Sequence, residues 1–156
     1  MLINNSSSFK MGGKMEIRRI TLKDLNRVFE LLNELYENKL KYDKFSQIYQ
    51  LKLNDINSYY IVAILDNKLV GVLTSEIQVK LHRAKKQSFI EDLIVDKEYR
   101  NRGIGKQLLQ NAVWYAKSND CEVIELTSHI NNENAHSFYE NNNFVKHSYK
   151  FKQYLN

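Results

Sequence analysis

Proline is absent from the 156 residues, cysteine occurs once and glycine five times. Without proline, the turns must be made by Asn, Asp and Gly. A single cysteine, Cys121, excludes an internal disulfide framework and a cysteine-based structural zinc site, and it fits a reducing compartment. No uninterrupted apolar run approaches the roughly 18 residues that a membrane span needs. Residues Met1 to Lys14 lack the apolar stretch of a secretory signal. A cytoplasmic protein without a membrane partner is therefore expected.

What is present describes a folded chain. Hydrophobic residues make up 43% and aromatics 12%, too many for a disordered polymer. A chain of 18.5 kDa fits one domain with a sizeable core. The net charge of +5 suggests anionic partners such as nucleic acid, a membrane surface or a phosphorylated small molecule. Yet Lys and Arg alternate with Asp and Glu along most of the chain. No helix is lined with Arg or Lys, and the aromatics do not interleave with a basic stripe, so a nucleic-acid partner is not expected.

Residues 1–14 are rich in Asn, Ser and Gly and show no periodicity. They read as a flexible leader or an artefact of the start, with a single domain over 15–156. Glu16 to Ile20 alternates as a short strand. Thr21 and Asp24 form a capping-box variant, and Leu22, Leu25, Val28, Phe29, Leu32 and Leu35 recur at helical spacing. A weaker helix covers 42–53. Strands are expected over Tyr59 to Leu65, Leu69 to Lys80 and Phe89 to Val95, with a tight turn at Asp66-Asn67 and a basic connection over His82 to Lys86. Ile104, Leu108, Leu109, Ala112, Val113 and Ala116 mark a long helix. Glu122 to Thr127 is a strand, Asn131 to Asn142 a short helix, and Val145 to Leu155 one or two closing strands. The order β-α-α-β-β-β-α-β-α-β implies an antiparallel front half and a parallel strand–helix–strand crossover behind it.

The most informative segment is Arg100-Asn101-Arg102-Gly103-Ile104-Gly105, which follows a strand and opens a helix. Backbone N–H groups of a first helical turn lack intrahelical partners, and the helix dipole is positive there. Glycine lets the backbone approach an anion closely. Two of the five glycines sit here, flanked by Arg100, Arg102 and Lys106. The segment is an anion cradle suited to phosphate or pyrophosphate. It is neither a P-loop nor a dinucleotide fingerprint.

The run from Ile90 through Asp96 to Lys106 resembles the acetyl-CoA motif of the GCN5-related N-acetyltransferase superfamily. Asn132 to Tyr139 followed by Phe144 resembles its second signature, N-x-x-A-x-x-F-Y-x-x-x-G-F, with Asn143 in place of the usual glycine. Asn is the next most tolerant residue of a left-handed helix end. The resemblance covers about residues 15–155. It implies an α/β fold with a mixed, mostly antiparallel central sheet flanked by helices, and a splayed parallel strand pair.

The resemblance also implies the chemistry. Acetyl-CoA would be the cosubstrate, its pantetheine arm lying in the splay against the backbone of Leu93, Ile94 and Val95. Arg100, Asn101, Arg102, Gly103, Ile104, Gly105 and Lys106 would hold the pyrophosphate, largely through backbone N–H groups. A backbone N–H near Leu93 would polarise the thioester carbonyl. The amine attacks directly, without a covalent enzyme intermediate. Tyr139 matches the family's tyrosine that serves the leaving thiolate. Glu91 is the candidate base for the incoming amine; strand alternation puts Asp92 on the opposite face, and Asp92 or a water chain stay open as alternatives. Asn134 would touch the cofactor or help Asn131 and Asn132 cap the helix. None of the four histidines shows metal-ligand spacing; His129, ending a strand, is the one placed to meet substrate.

For the acceptor, Tyr36, Tyr42, Phe45, Tyr49, His82 and Arg83 are expected to shape a pocket suited to a small amine carrying an anionic group. The second half of the chain is similar, more loosely, to aminoalkylphosphonate N-acetyltransferases. Polyamines and aminoglycosides would want an acidic pocket, and the sequence shows no concentration of acidic residues. Protein amines, or a non-catalytic acyl-CoA-binding module, remain alternatives. A homodimer is a further expectation from the superfamily.

Overall fold

The computed structural model describes residues 14–81 and 84–155. The expected leader and the pair His82 and Arg83 lie outside the described residues, Lys14 excepted. The elements are β1 (Met15–Arg19), α1 (Leu25–Leu35), α2 (Tyr42–Leu53), β2 (Ser58–Leu65), β3 (Lys68–Lys80), β4 (Lys85–Val95), α3 (Ile104–Ser118), β5 (Cys121–Leu126) and α4 (Glu133–Glu140). The strands form one sheet in the order β1-β2-β3-β4-β5. Pairing is antiparallel as far as β4, and β4 and β5 run parallel. The long crossover that a parallel pair requires is supplied by α3.

Strand alternation sends the sheet's apolar residues to two cores. On β2, Ile61, Ala63 and Leu65 join Ile104, Leu108, Leu109 and Ala112 of α3, with Phe138 and Tyr139 of α4 packed alongside. On the other face Val62, Val72 and Ile94 meet Val28, Leu31 and Leu32 of α1 and Tyr49 of α2. α3 docks closely because β3 carries Gly71. A Cβ there would stand 3.0 Å from Leu108 Cδ1 and 3.3 Å from the Ile94 carbonyl oxygen.

The α1 entrance is held electrostatically. The buried Asp24 carboxylate accepts from Arg18 at 2.7 and 2.9 Å and from the Thr21 backbone and hydroxyl. Burial pushes its carboxyl up, but these bonds outweigh that and hold it below the ordinary carboxylate value. The turn at Asp66 and Asn67 places both residues at positive φ (49° and 62°), the geometry of a two-residue hairpin. Asn143 has φ 67°, and the Phe144 N–H returns to the Tyr139 carbonyl at 3.0 Å. Asparagine thus serves where the family motif has glycine.

One expectation fails. Residues 145–155 form no strand. They alternate correctly, but a strand exists only as a paired ladder, and no described strand of this chain pairs with them.

Candidate active site

Two register facts shape the sheet around β4. Pairing between β4 and β5 runs from Lys86↔Cys121 to Ile90↔Leu126 and stops. From Glu91 onward β4 keeps only its β3 neighbour, with Leu73↔Leu93, Val72↔Ile94 and Gly71↔Val95. From Leu93 to Val95 the backbone edge toward the gap therefore has no strand neighbour, although the Val95 carbonyl is taken by the Arg100 side chain. The side chains are engaged elsewhere: Ile94 is buried in the α1 core, and Leu93 and Val95 pack on the α3 core.

The gap leads to the start of α3. Gly103, the N-cap, has φ 77°, a left-handed conformation that bulky residues resist. No side chain caps this helix, and no acidic residue stands in its first turn. A Cβ on Gly103 would meet nothing within 4 Å, and one on Gly105 would touch Phe138 at 3.5 Å. The cradle is thus bare backbone under a positive helix end, which fits a pyrophosphate. Asn101, also at positive φ (60°), shapes the approach. Ile104 is buried, so only its backbone faces the cradle.

The arginine side chains are engaged around the loop. The Arg100 Nε donates to the Val95 carbonyl at 2.9 Å, and its guanidinium stands 3.8 Å from Glu34. Arg102 donates to the Glu98 carbonyl at 3.0 Å and lies over the Tyr99 ring. Both brace their own loop, whereas Lys106 is exposed on the first turn of α3.

The second register fact is a bulge. Thr74 faces Asp92 and Ser75 faces Ile90, so Glu91 is the extra residue. A bulge interrupts alternation. Ile90 and Leu93 both serve the α3 core, and the two residues between them are on the α1 face. Asp92 accepts from the Tyr36 hydroxyl at 2.7 Å and the Thr74 hydroxyl at 2.8 Å. Glu91 senses Glu76, Asp92 and Lys52. The expectation that Glu91 and Asp92 point to opposite faces is therefore corrected: the bulge puts both on one face.

This face gathers charge that linear reading did not show. Glu76 accepts from the Tyr60 hydroxyl at 3.0 Å and pairs with Lys52 at 2.5 Å. Glu76, Glu91 and Asp92 thus form a carboxylate group, which corrects the expectation of no acidic concentration. Partial burial, followed by the Glu76 and Asp92 charges, pushes the Glu91 carboxyl up; Lys52 and Lys150 oppose that. A carboxylate poised above its ordinary value is a better proton acceptor near neutral pH. Tyr60, Thr74, Glu76 and Lys52 stand around Glu91 and Asp92, and sequence reasoning missed them. The available signal was the parity of Tyr60, Thr74 and Glu76 on neighbouring strands.

Tyr139 packs edge-on against Phe138 and beside Phe144. Burial, then the Asp92 charge, raises its phenol above the ordinary value. Among the described residues no side chain or backbone group hydrogen-bonds its hydroxyl. Asn132, rather than Asn134, caps α4, accepting from Ala135 N–H at 3.1 Å; Asn134 is exposed in the first turn. His129 and His136 organise the turn before α4: the Asn131 N–H donates to His129 Nδ1, and His136 Nε2 meets the His129 carbonyl at 3.0 Å.

Of the expected acceptor wall, only Tyr36 reaches the site among the described residues. Tyr42 donates to Asn26, Tyr49 donates to the Thr21 carbonyl, and Phe45 packs on Phe29. These three dock α2 on α1.

The sheet is split over an uncapped, glycine-started helix, with Glu91 on one face and Tyr139 on the other. Residues 25–144 match the model of the Acetyltransferase (GNAT) family, and the chain belongs to that family. It is an N-acetyltransferase by class. It is 31% identical over 140 residues to the aminoalkylphosphonate N-acetyltransferase of Salmonella typhimurium, covering 90% of this chain and 91% of that one. A solved transcriptional regulator from Bacillus halodurans superposes with a TM-score of 0.85 at 25% identity, over 91% of this chain and all of that one. An aminoglycoside acetyltransferase from an uncultured soil sample, solved with sisomicin, superposes with a TM-score of 0.77 at 26% identity, over 91% and 97% of the two chains. No described helix is long and apolar enough to cross a membrane.

Proposed function

We propose that the chain transfers the acetyl group of acetyl-CoA to the primary amine of a small molecule of aminophosphonate type. The observation that supports the transfer is the strand-free edge of Leu93 to Val95 running into the uncapped start of α3. The pantetheine arm adds to that edge, and the pyrophosphate takes the N–H groups of residues 103–106. The amine arrives on the α1 face and gives a proton to Glu91. Its nitrogen attacks the thioester carbon, whose oxygen is held by backbone N–H near Leu93. The C–N bond forms, the C–S bond breaks, the thiolate takes the Tyr139 proton, and the proton shed by the new amide nitrogen restores the phenol.

For the acceptor, the Salmonella relative supports an aminophosphonate. Carboxylates flank the ammonium end, and Lys52 and Lys150, the cations near Glu91, suit an anionic end. A second reading is favoured by Glu76, Glu91 and Asp92 together: a polycationic amine, such as a polyamine or aminoglycoside. The test is thiol release from acetyl-CoA against aminoethylphosphonate, spermidine, an aminoglycoside, an amino sugar phosphate and a lysine peptide. Turnover with aminoethylphosphonate alone supports the first reading. Turnover restricted to polycations replaces it with the second. Acetyl-CoA binding without turnover of any amine favours a non-catalytic acyl-CoA-binding module.

A further inference from the structure

Lys52 bridges two carboxylates. It stands in the last turn of α2, where its Nζ lies 3.1 Å from Asp55 Oδ2 and 2.5 Å from Glu76 Oε1. Asp55 is itself fixed: it accepts from the Asn57 N–H at 3.0 Å and from the Ser58 hydroxyl at 2.8 Å. The turn that starts β2 thereby sets where the ammonium sits. The same Glu76 oxygen also accepts from the Tyr60 hydroxyl at 3.0 Å. Donors from α2 and β2 thus hold one carboxylate of β3. The Lys52 and Glu76 side chains are 29% and 21% exposed, so solvent and salt screen the pair weakly. The bond to Glu76 is the largest influence on the Lys52 ammonium and raises it above its ordinary value, so the cation persists.

We propose that Lys52 is a positioning residue for Glu91, acting through Glu76: it holds Glu76 toward α2 and leaves Glu91 the open proton acceptor of the pair. Its part in the transfer rests on the reading of Glu91 as the base. The β4 bulge puts Glu91 on the face of Glu76, next to Phe89, the register partner of Glu76. Tyr36 of α1, Tyr60 of β2, Asp92 of β4 and Lys150 of the closing segment also act on or feel Glu91. Glu125 of β5 stands opposite Phe89 and meets Gln87 Nε2 at 3.4 Å. After burial, the Glu76 charge is the strongest influence raising the Glu91 carboxyl, and Lys52 opposes it. Two carboxylates side by side on a half-buried face repel, and one gains a proton more readily unless a counterion holds its neighbour. Lys52 is that counterion. An ammonium has three donors; with Asp55 and Glu76 engaged, one is left to face an acceptor.

The test follows the Glu91 carboxyl carbon by NMR in the full chain without ligand, its signal identified by loss in Glu91→Gln. Beside it runs the pH profile of kcat/KM from thiol release, with acetyl-CoA and the amine that turns over. Lys52→Met is expected to raise the Glu91 midpoint by about one pH unit and to carry the acid limb of the profile with it. Lys52→Arg keeps the cation and should hold the midpoint near the parent's. Glu76→Gln should lower it, a sign opposite to that of Lys52→Met, which a shared fold defect would not produce. In the Glu76→Gln background the effect of Lys52→Met should shrink. A midpoint that Lys52→Met does not move overturns the proposal, whether or not the acceptor KM rises. An equal shift in both backgrounds overturns it too, since Lys52 would then act on Glu91 directly. So does a shift that Lys52→Arg fails to prevent, which marks a merely structural role. A midpoint that moves as expected while the acid limb stays supports the proposal and overturns the reading of Glu91 as the base.

Discussion

The Tyr36 hydroxyl donates a 2.7 Å hydrogen bond to the Asp92 carboxylate, joining the end of α1 to the bulge of β4. Asp92 also accepts from Thr74, so one carboxylate ties a helix and two strands at the acceptor face. Tyr36→Phe removes one charged hydrogen bond and leaves the ring. The expected outcome is a loss of about 1 kcal/mol in stability and a raised acceptor KM with little change in kcat. Urea titration and steady-state kinetics check both.

Glu91 is the proposed acceptor of the amine proton. Its carboxyl is raised, so the acid form persists above the ordinary carboxylate range, and activity should climb as pH rises through the raised value. Glu91→Gln is expected to lower turnover by about 10²-fold near neutrality. The deficit should shrink at high pH, where the free amine is already deprotonated. A deficit constant with pH would assign Glu91 to positioning. The pH profile of kcat/KM distinguishes the two.

For Tyr139→Phe the expected loss is roughly 10²-fold in turnover, with acetyl-CoA affinity retained, because the proposed role of the phenol is confined to the departing thiolate. Single-turnover kinetics beside a CoA titration provide the measurement. Unchanged turnover would remove the tyrosine from the proton path.

Gly103 is constrained by conformation and not by space, since an added Cβ meets no atom within 4 Å at φ 77°. Asn101 and Asn143 already hold φ values of 60° and 67° in this chain. Gly103→Asn should therefore bind CoA nearly as well as the parent. Gly103→Val should strain the turn by about 1–2 kcal/mol and bind CoA visibly more weakly. Titration calorimetry of the pair tests whether the backbone shape makes the cradle.

The Arg18–Asp24 pair predicts an acid-dependent stability. Asp24 titrates below its ordinary value when folded, so its contribution is present above the unfolded carboxylate value of about 3.9. It is lost as pH falls through the lower folded value. Asp24→Asn should cost about 2–3 kcal/mol near neutrality. The gap to the parent should close in strong acid. Denaturation midpoints at the two pH extremes give the comparison.

Local patterns carried most of the fold. The apolar spacing of α1 and α3, the β-branched run of β2 and the Asp66-Asn67 turn all report on neighbours close in sequence. The motif around Gly103 was legible for the same reason. The acceptor face was not. Glu76 and Glu91 approach only because β3 and β4 pair, and the shared face of Glu91 and Asp92 follows from one extra residue in the ladder. Alternation, followed strictly, sends Asp92 the wrong way. Residues 145–155 carry a strand's pattern, but pattern records which face wants burial and not whether a neighbour exists to provide it.

Gly71 sets a height. Leu108 comes to within 3.0 Å of where its Cβ would be, so the missing methyl decides how deep α3 sits on the sheet. The same helix carries the cradle at its first turn and Leu108 one turn later. An alanine at 71 would act as a shim under α3, lifting its glycine-started end away from the open edge of β4 without touching either. The spacing between those two fixtures is kept by a glycine on β3.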